Sequence, residues 1–535
     1  MITSSSVSEI LELTAKLLEL HGANEFKTRA IKNAAYRIYK NNPDLMTPTK
    51  EELEKIEVIG KSIASKIIEI REMGSTRELN ELLEKTPPGV VEMLGVKGLG
   101  PKKVAQLWKE LEIESIGELY YACNENRLVD LKGFGSKTQD AIIESIEFKQ
   151  ANSGKFHYGR IIGDAEKLVA DLKIVLGTDK VSLTGEIYRK CEVLDKIEIL
   201  IGSEKKFDPP SSLSLPVIFH FCSAERFYFE LVKTSSDHPH WKHISLINRR
   251  PEIANSEEDV YAEMDMPYII PELRDGYFSL EEIKENALIP PIQFSDLKGA
   301  LHNHSTYSDG QHSIEEMASR CIKMGYEYFG IADHSQSAFY ADGLKPERII
   351  EQHKEIDQLN EKYAPFKIFK GIESDILNDG SLDYEDDVLK SFDYVVASVH
   401  SNLKMTEDKA MARLIRAIEN PYTTILGHPT GRLLLSRPGY PINHKKIIDA
   451  CAANNVIIEL NAHPFRLDID WRWIPYCMER GVKLSINPDA HHVDGIADMY
   501  YGVCAARKGM LRKELCLNSS SLEEIVKIFK GKAVI

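Results

Sequence analysis

The sequence predicts a multidomain protein with an all-α N-terminal region, an α+β middle and a C-terminal α/β barrel of parallel strands. Three observations carry this expectation. At 535 residues the chain exceeds what one hydrophobic core serves, so two to four domains are expected. Residues 1 to about 150 read as short helices joined by glycine turns. Residues 296–535 alternate strand-like and helix-like stretches, a pattern met most economically by a parallel sheet closed into a barrel.

In the helical region three turns resemble one another: "VIGKSIASKI" (58–67), "VKGLGPKKVAQL" (96–107) and "LKGFGSKTQDAI" (131–142). Each has an apolar residue, a glycine turn, then an amphipathic helix. This is the helix-hairpin-helix pattern, in which glycine lets the backbone approach a phosphate and the helix start aims its N–H groups at the anion. Gly60, Lys61 and Lys66 in the first turn, Gly98, Gly100, Lys102 and Lys103 in the second, and Gly133, Gly135 and Lys137 in the third are the candidate DNA contacts. Together the turns point to sequence-independent duplex binding; the competing explanation is glycine-closed hairpins with solvated lysines. Lys66 could also form a Schiff base if its pKa were lowered, although a phosphate contact or a solvated lysine is the simpler role.

Residues 154–235 change to strand-like stretches, "KVSLTGEIYR", "KIEILIG", "PVIFHF" and "RFYFELV". A segment at 236–290 follows, containing "HPHWKH" (238–243), read as a loop with no specific role, and "MPYIIPELRDG". Proline-rich "ALIPPIQFSDLKG" (287–299) then leads into the last domain. There "SIEEMASRCIKMGY", "PERIIEQHKEIDQLNEKY", "EDKAMARLIRAIEN" and "HKKIIDACAANN" have helical apolar spacing. "YFGIADH", "FKIFKGIE", "FDYVVASVH", "TTILGH", "VIIELNAH" and "GVKLSINPDAH" are the strands between them, and "DYEDD" (383–387) is a solvated acidic turn.

Composition excludes several classes. With 43% hydrophobic and 28% charged residues the chain is an ordinary globular protein. No apolar run approaches a membrane span, and the opening "MITSSSVSEILELTAKLLEL" lacks a signal peptide's basic region and long apolar core. Eight cysteines without a CxxC pair suit a reducing cytoplasm and argue against a thiolate zinc site. A cytoplasmic protein without a membrane partner is expected, with no oligomeric state beyond a monomer implied. The net charge of −15 restricts nucleic-acid contact to local basic patches or backbone amides.

Nearly every strand of the last domain ends in a metal-ligand type of residue. His302, His304 and Asp309 follow the opening strand; His334, Glu373, His400 and His428 end the next four, and Asp489 and His491 the last. The C-terminal ends of barrel strands converge on one face, so nine ligand-type side chains would share a cleft. Eleven of the 17 histidines lie at or after 302. A lone histidine would be a satisfied core or surface group; six histidines and three carboxylates at strand ends point to metal. Nine ligands exceed what one ion takes, so two or three ions with a bridging carboxylate are expected. Mixed imidazole and carboxylate donors suit Mn²⁺ or Zn²⁺, then Fe²⁺, and disfavour Mg²⁺. Such a cluster activates water, clamps phosphoryl oxygens and stabilises a leaving alkoxide, so the expected reaction is phosphoester hydrolysis.

"ALHNHSTYSDG", "GIADHS", "GIESDI", "VVASVHS", "LGHPTGRLLLSRPGYP" and "INPDAH" resemble the PHP phosphoesterase domain, in the version carried by bacterial family X DNA polymerases. "RLDIDWRW", "YGVCAARKG" and "DVYAEMDMPYIIPELRDG" are also close to that version. The resemblance implies a helical DNA-binding domain at 1–90 like the 8-kDa domain, a fingers-like helix-hairpin-helix domain at 91–153, a palm at 154–235, a thumb-like domain at 236–290 and the distorted TIM-like PHP barrel at 296–535. It implies three metals, held by His302, His304, Glu373 and Asp489; by Glu373, His400 and His428; and by Asp309, His334 and His491. Ala300 stands where the family usually has Asp, which implies altered support around the site rather than a lost site.

The palm departs further. The family's Gly-Ser-x-Arg-Arg turn aligns with "TGEIYRK", where Gly185 and Arg189 fit but Glu186 takes the serine place and Tyr188 the first arginine. The paired aspartates fall on Lys196 and Glu198, and the third falls near His220. Using Asp195 instead of Lys196 would turn it away from Glu198 on a strand. A lysine facing a divalent cation at about 4 Å costs about 8 kcal/mol even at an effective dielectric of about 20, so polymerase catalysis is expected to be lost. The expected function is therefore a DNA-processing phosphoesterase acting on gapped or 3′-ended duplex, its 3′-5′ polarity implied by the resemblance. Arg432 is the candidate for gripping the scissile phosphate, with His463 and Arg466 behind it. The alternatives are an active family X repair polymerase, a PHP phosphatase of small molecules, and a non-catalytic DNA-end binder.

Overall fold

The computed structural model describes residues 3–57, 59–124, 128, 131, 133–151, 154–203, 205, 216–245, 253–286, 289–338, 341–435 and 438–532. Val58 and Lys132 of the glycine turns, the junction at 152–153, and 246–252 and 287–288 of the middle segment lie outside these. The chain divides into two compact units, Met1–Ser153 and Gly154–Ile535. No described helix is long and apolar enough to cross a membrane.

The described part of the first unit is helical: α1 (Ser4–Leu20), α2 (Glu25–Asn41), α3 (Lys50–Leu53), α4 (Lys61–Met73), α5 (Arg77–Glu84), α6 (Pro88–Met93), α7 (Pro101–Leu111), α8 (Ile116–Asn124) and α9 (Ser136–Ala151). Val7, Leu11, Ala15 and Leu18 recur at helical spacing on α1 and bury against Ile31, Ala34, Ala35 and Ile38 of α2. A second core gathers Leu79, Met93, Leu107, Leu119 and Ile142 from α5 to α9. The N-cap of α4 is Gly60 and that of α7 is Gly100, and neither supplies a side-chain cap, so the first N–H groups of both helices have no side-chain acceptor there.

The second unit opens with β1 (Phe156–His157), α10 (Tyr158–Leu176), β2 (Val181–Thr184), α11 (Gly185–Tyr188), β3 (Val193–Leu194), β4 (Ile197–Ile201) and β5 (Val217–Phe221). The sheet runs β2-β4-β5, antiparallel then parallel. Here the structure corrects one expectation. "RFYFELV" is not a strand but the start of α12 (Phe227–Ser235). Its β-favouring residues bury at helical spacing, Phe227 and Leu231 against Leu200 and Phe229 and Val232 in the main core, so packing overrides propensity. The "HPHWKH" stretch is likewise α13 (His238–Ser245) rather than a loop. His240 sits in the core, where burial, reinforced by Arg274, pulls its imidazole down to about 4. Two further helices, α14 (Glu257–Glu263) and α15 (Leu280–Asn286), complete the segment.

The C-terminal domain alternates β6 (Gly299–Ala300), α16 (Ile314–Lys323), β7 (Tyr328–His334), α17 (Pro346–Tyr363), β8 (Lys367–Asp375), α18 (Asp386–Leu389), β9 (Tyr394–Ser398), α19 (Glu407–Ile418), β10 (Ile425–Leu426), α20 (His444–Ala453), β11 (Ile457–Asn461), α21 (Ile474–Glu479), β12 (Leu484–Asn487), α22 (Met499–Lys508) and α23 (Leu522–Lys532). The seven strands pair in parallel and in chain order. A bridge from Asn303 to Ala490 joins the outermost strand ends, so the barrel is nearly closed.

Period two decides what fills it. Tyr328, Ala332, Phe369, Tyr394, Ile425 and Ile457 form an inner cluster with Ile525 and Phe529 of α23. The Phe529 ring stacks on Tyr394 at 5.0 Å. Gly371 is needed there, because a Cβ would come within 2.3 Å of the Tyr394 ring. Two residues further along the same inward rows stand the site's groups: His334 beyond Ala332, Glu373 beyond Gly371, Glu459 beyond Ile457.

Candidate metal centre

Glu373 is the hub. Its Oε1 lies 3.0 Å from His428 Nε2, 3.1 Å from His400 Nε2 and 3.2 Å from His302 Nε2. Its Oε2 lies 3.0 Å from His334 Nδ1 and 3.7 Å from His304 Nε2. Asp489 Oδ1 is 3.0 Å from His304 Nε2 and 3.7 Å from His302 Nε2. Asp309 Oδ1 is 3.2 Å from His491 Nε2 and 3.7 Å from His334 Nε2. Four groups have donor atoms within 4.8 Å of one another: His304, Asp309, His334 and His491; His302, His304 and Asp489; His302, Glu373 and His428; His334, Glu373 and His400. All nine residues singled out at the strand ends are therefore brought together. The grouping differs from the family-derived one: His304 also joins the Asp309 group, Glu373 separates from Asp489, and His428 and His400 each pair with Glu373 in different groups, with His302 and His334 respectively.

Local backbone explains part of the convergence. His302 (φ 55°), His428 (φ 21°) and Asp489 (φ 53°) occupy the left-handed region, which costs a non-glycine residue about 1–3 kcal/mol and persists only where surroundings over-determine it. Glu459 supplies much of that constraint. Fully buried on β11, it accepts from His302 Nδ1 at 2.6 Å, His428 N–H at 2.8 Å and Asn487 Nδ2 at 2.8 Å. Asp375 plays the corresponding part for His400, Nδ1 to Oδ1 at 2.5 Å. Asp333 ties down the 302–309 loop through Ser305 N–H and Oγ (2.7 Å each) and Ser308 Oγ (2.6 Å). Sequence reading passed over all three. The available signal was the period: Asp375 lies two residues along an inward row from Glu373, which the strand-end pattern had already marked, whereas Glu459 shares its row with His463 only four residues on.

The electrostatics are those of a compressed donor cluster. Burial pushes the Glu373 carboxyl up, but His400, His302 and His334 reverse this and hold it well below the ordinary range. Asp489 behaves alike through His302 and His304. Burial lowers His304 to about 3, helped by neighbouring His491 and His334. Burial disfavours charge on His400 too, yet Glu373 and Asp375 raise it to about 10. His302 Nε2 and Glu373 Oε2 are buried without a hydrogen-bond partner among the described residues. Orphaned buried acceptors beside tautomer-fixing carboxylates are what a bound cation leaves to be satisfied, and the nitrogen and oxygen donors fit divalent transition metals.

Arg432 lies outside these groups. Its guanidinium bonds Asp470 Oδ2 at 2.6 Å and the Arg466 carbonyl at 3.1 Å, and also donates to the Leu467 carbonyl, so it braces the loop after β11. The positive charge of Arg466 on that loop acts on both His428 and Asp489. His463 Nδ1 accepts from Phe465 N–H at 3.2 Å.

In the first unit Gly60, Gly98, Gly100, Gly133 and Gly135 are exposed, with nothing within 4 Å of an added Cβ. Gly98 and Gly133 adopt φ of 88° and 89°. Ile59, Leu99 and Phe134 beside them are buried anchors. Lys61, Lys102 and Lys137 are exposed next to these turns, and Lys103 Nζ stands 5.2 Å over the Phe134 ring. Lys66 is committed to Glu78, which also binds Lys27.

Residues 300–463 match the PHP domain family, 3–76 a helix-hairpin-helix domain and 90–147 a SAM-like helix-hairpin-helix tandem. The DNA polymerase/3′-5′ exonuclease PolX of Bacillus subtilis (strain 168) is 34% identical over 566 residues, covering 98% of this chain and 99% of its own. The chain belongs to the PolX family. Part of this PolX chain is similar to a "probable phosphatase" of Acetivibrio thermocellus, 28% identical over 36% of this chain and 78% of that protein. It also resembles in part the crystal structure of histidinol phosphate phosphatase from Lactococcus lactis with zinc, L-histidinol and phosphate, at TM-score 0.32, 18% identity and coverage of 39% of this chain and 93% of that one.

Proposed function

We propose that this PolX chain is a metal-dependent phosphodiesterase that removes nucleotides or blocking groups from 3′ ends of DNA, and that its palm has lost nucleotidyl transfer. The observation that carries the first half is the meeting of His302, His304, Asp309, His334, Glu373, His400, His428, Asp489 and His491 around one shared carboxylate. Two or three divalent cations held there, Mn²⁺ or Zn²⁺ by donor type, would supply Lewis acidity to the phosphoester. The chain's own residues do the rest. Glu459 and Asp375 hold the His302 and His400 tautomers, and Glu373 joins neighbouring donor groups. Arg466 is the better placed of the two arginines to neutralise a non-bridging phosphate oxygen. The open glycine turns before α4, α7 and α9 fit the grip on duplex.

Four features of the palm support the second half. Lys196 Nζ stands 3.7 Å and His220 Nε2 3.1 Å from the Glu198 carboxylate, so the groups in direct contact with this acid are a cation and an imidazole. That carboxylate also fills the Gly185 turn, where an added Cβ would lie 2.1 Å from Glu198 Oε2. Glu186 is half-buried, and burial followed by nearby carboxylates raises its pKa. Arg189 turns inward to the Ser235 carbonyl at 3.0 Å, away from any incoming triphosphate.

The test is a Mn²⁺-supplemented assay on 3′-labelled primer–template, wild type beside Asp489→Ala, with and without dNTPs, and with a free phosphomonoester in parallel. Shortening in wild type only, no extension, and slow phosphomonoester hydrolysis are expected. Extension that survives His334→Ala would restore the polymerase reading, and a preference for the monoester would favour a small-molecule phosphatase.

A further inference from the structure

Beside the candidate metal centre lies a cleft of about 570 Å³ that the phosphoesterase reading leaves unused. It opens at the same end of the barrel. Thr430, two residues past His428, lines it, as do His444 at the start of α20 and Trp473 just before α21. The opposite wall is tied to the centre too: Asn461 N–H donates to the Asp468 carbonyl at 2.6 Å while its Nδ2 bonds Asp489 Oδ2 at 3.0 Å.

The lining has a definite chemistry. The His444 and Trp473 rings are stacked face to face at 4.6 Å and only 6° apart, so a further ring could extend the stack only on an outer face of the pair. Tyr277, from the segment before the barrel, adds an edge; its ring meets Trp471 at 4.9 Å and its hydroxyl donates to the Arg472 carbonyl at 3.3 Å. The charges cancel locally. Asp470 takes Arg432 at 2.6 Å and Arg472 at 3.0 Å, and with Asp468 the described lining residues set two carboxylates against two guanidinium groups. Asp468 is fully buried; its Oδ2 accepts Thr430 N–H and Oγ1–H at 2.9 Å each, while Oδ1 has no hydrogen-bond partner among the described residues.

A stacked aromatic pair, balanced charges among the described lining residues and a carboxylate oxygen lacking a donor together describe a site for a planar, uncharged ring that carries amino hydrogens. We propose that this cleft is a nucleobase subsite, holding the base of a residue near the 3′ end while its phosphate lies at the metal centre. The assignment rests on DNA being the substrate and adds the group that positions it. The base stacks on the His444–Trp473 pair, and an exocyclic amine of adenine or cytosine donates toward Asp468. Thymine stacks but brings no amine.

The test is a fluorescence titration of the EDTA-treated full-length protein with a single-stranded trinucleotide and with counterparts lacking one base at a time. Loss of the base at one position is expected to weaken binding about tenfold or more, since stacking contributes ~1–3 kcal/mol per base. Thymine at that position binds more weakly than adenine or cytosine, and His444→Ala flattens both differences while the far-ultraviolet spectrum stays as in wild type. Equal affinities across the wild-type series, or discrimination undiminished in His444→Ala, overturn the proposal. Hydrolysis of bis(4-nitrophenyl) phosphate by the metal-loaded protein, measured alongside, reports on the phosphoesterase reading alone. Its failure with base discrimination intact would remove that reading and leave the cleft assigned.

Discussion

Glu459 shows how much of the centre depends on a residue that touches no substrate. By accepting from His302 Nδ1 it leaves Nε2 to face Glu373 and Asp489, and by accepting from the His428 backbone it holds that residue at its unusual φ. Glu459→Gln keeps the volume but removes the charge that fixes the imidazole. It is expected to weaken metal binding and phosphodiester hydrolysis about 10–100-fold, the range for such supporting partners. Isothermal titration with Mn²⁺ checks this, and unchanged affinity would mean the tautomer is set elsewhere. Arg432 makes the complementary point. Sequence placement beside His428 suggests phosphate recognition, and the structure adds bonds to Asp470 and two loop carbonyls that fix the guanidinium in place, contacts that spacing alone cannot show.

The glycine turns are legible as elements because their pattern is local: a buried apolar residue, an exposed glycine and a helix start, with a further exposed glycine ahead of Leu99 and of Phe134. Their value lies in the helix N-termini behind them. Lys102 stands exposed in the first turn of α7. Lys102→Ala is expected to lower duplex affinity and to reduce the slope of log K against log salt by about one unit, the signature of one lost phosphate contact. Fluorescence anisotropy across a salt series measures it; an unchanged slope would return the lysine to plain solvation. The misread element is "RFYFELV". Its aromatic and β-branched residues favour a strand, but its burial has helical spacing, and only the partners packed around it decide between the two.

Across the second unit, Glu272 ties distant segments together. It is 2% exposed and accepts from Lys190 Nζ at 3.0 Å, beside α11, and from Arg507 Nε at 2.9 Å, on α22. Burial pushes this carboxyl up, but Lys190 and Arg507 hold it below its ordinary 4.5. A depressed folded pKa means stability that is fully present above the unfolded value and is lost as pH falls through the folded one. Glu272→Gln is therefore expected to destabilise by ~3 kcal/mol at pH 7, where two cations lose their partner. The gap from wild type should shrink below about pH 4, where wild type loses the same charge. Urea midpoints at both pH values check this, and a pH-independent gap would assign the loss to packing. What the sequence determined by itself was periodic or local: the alternation of the barrel, the hairpin turns, and the ligand-type residues at strand ends. Each follows from neighbours a few positions apart, where backbone geometry alone dictates which side chains share a face. What only the tertiary structure decided was pairwise and distant. Glu373 serves as the hub, Glu459 lies behind His302, the guanidinium of Arg432 is taken up by Asp470, and His444 meets Trp473. Those pairs depend on strand order, closure and loop packing, which no local spacing encodes.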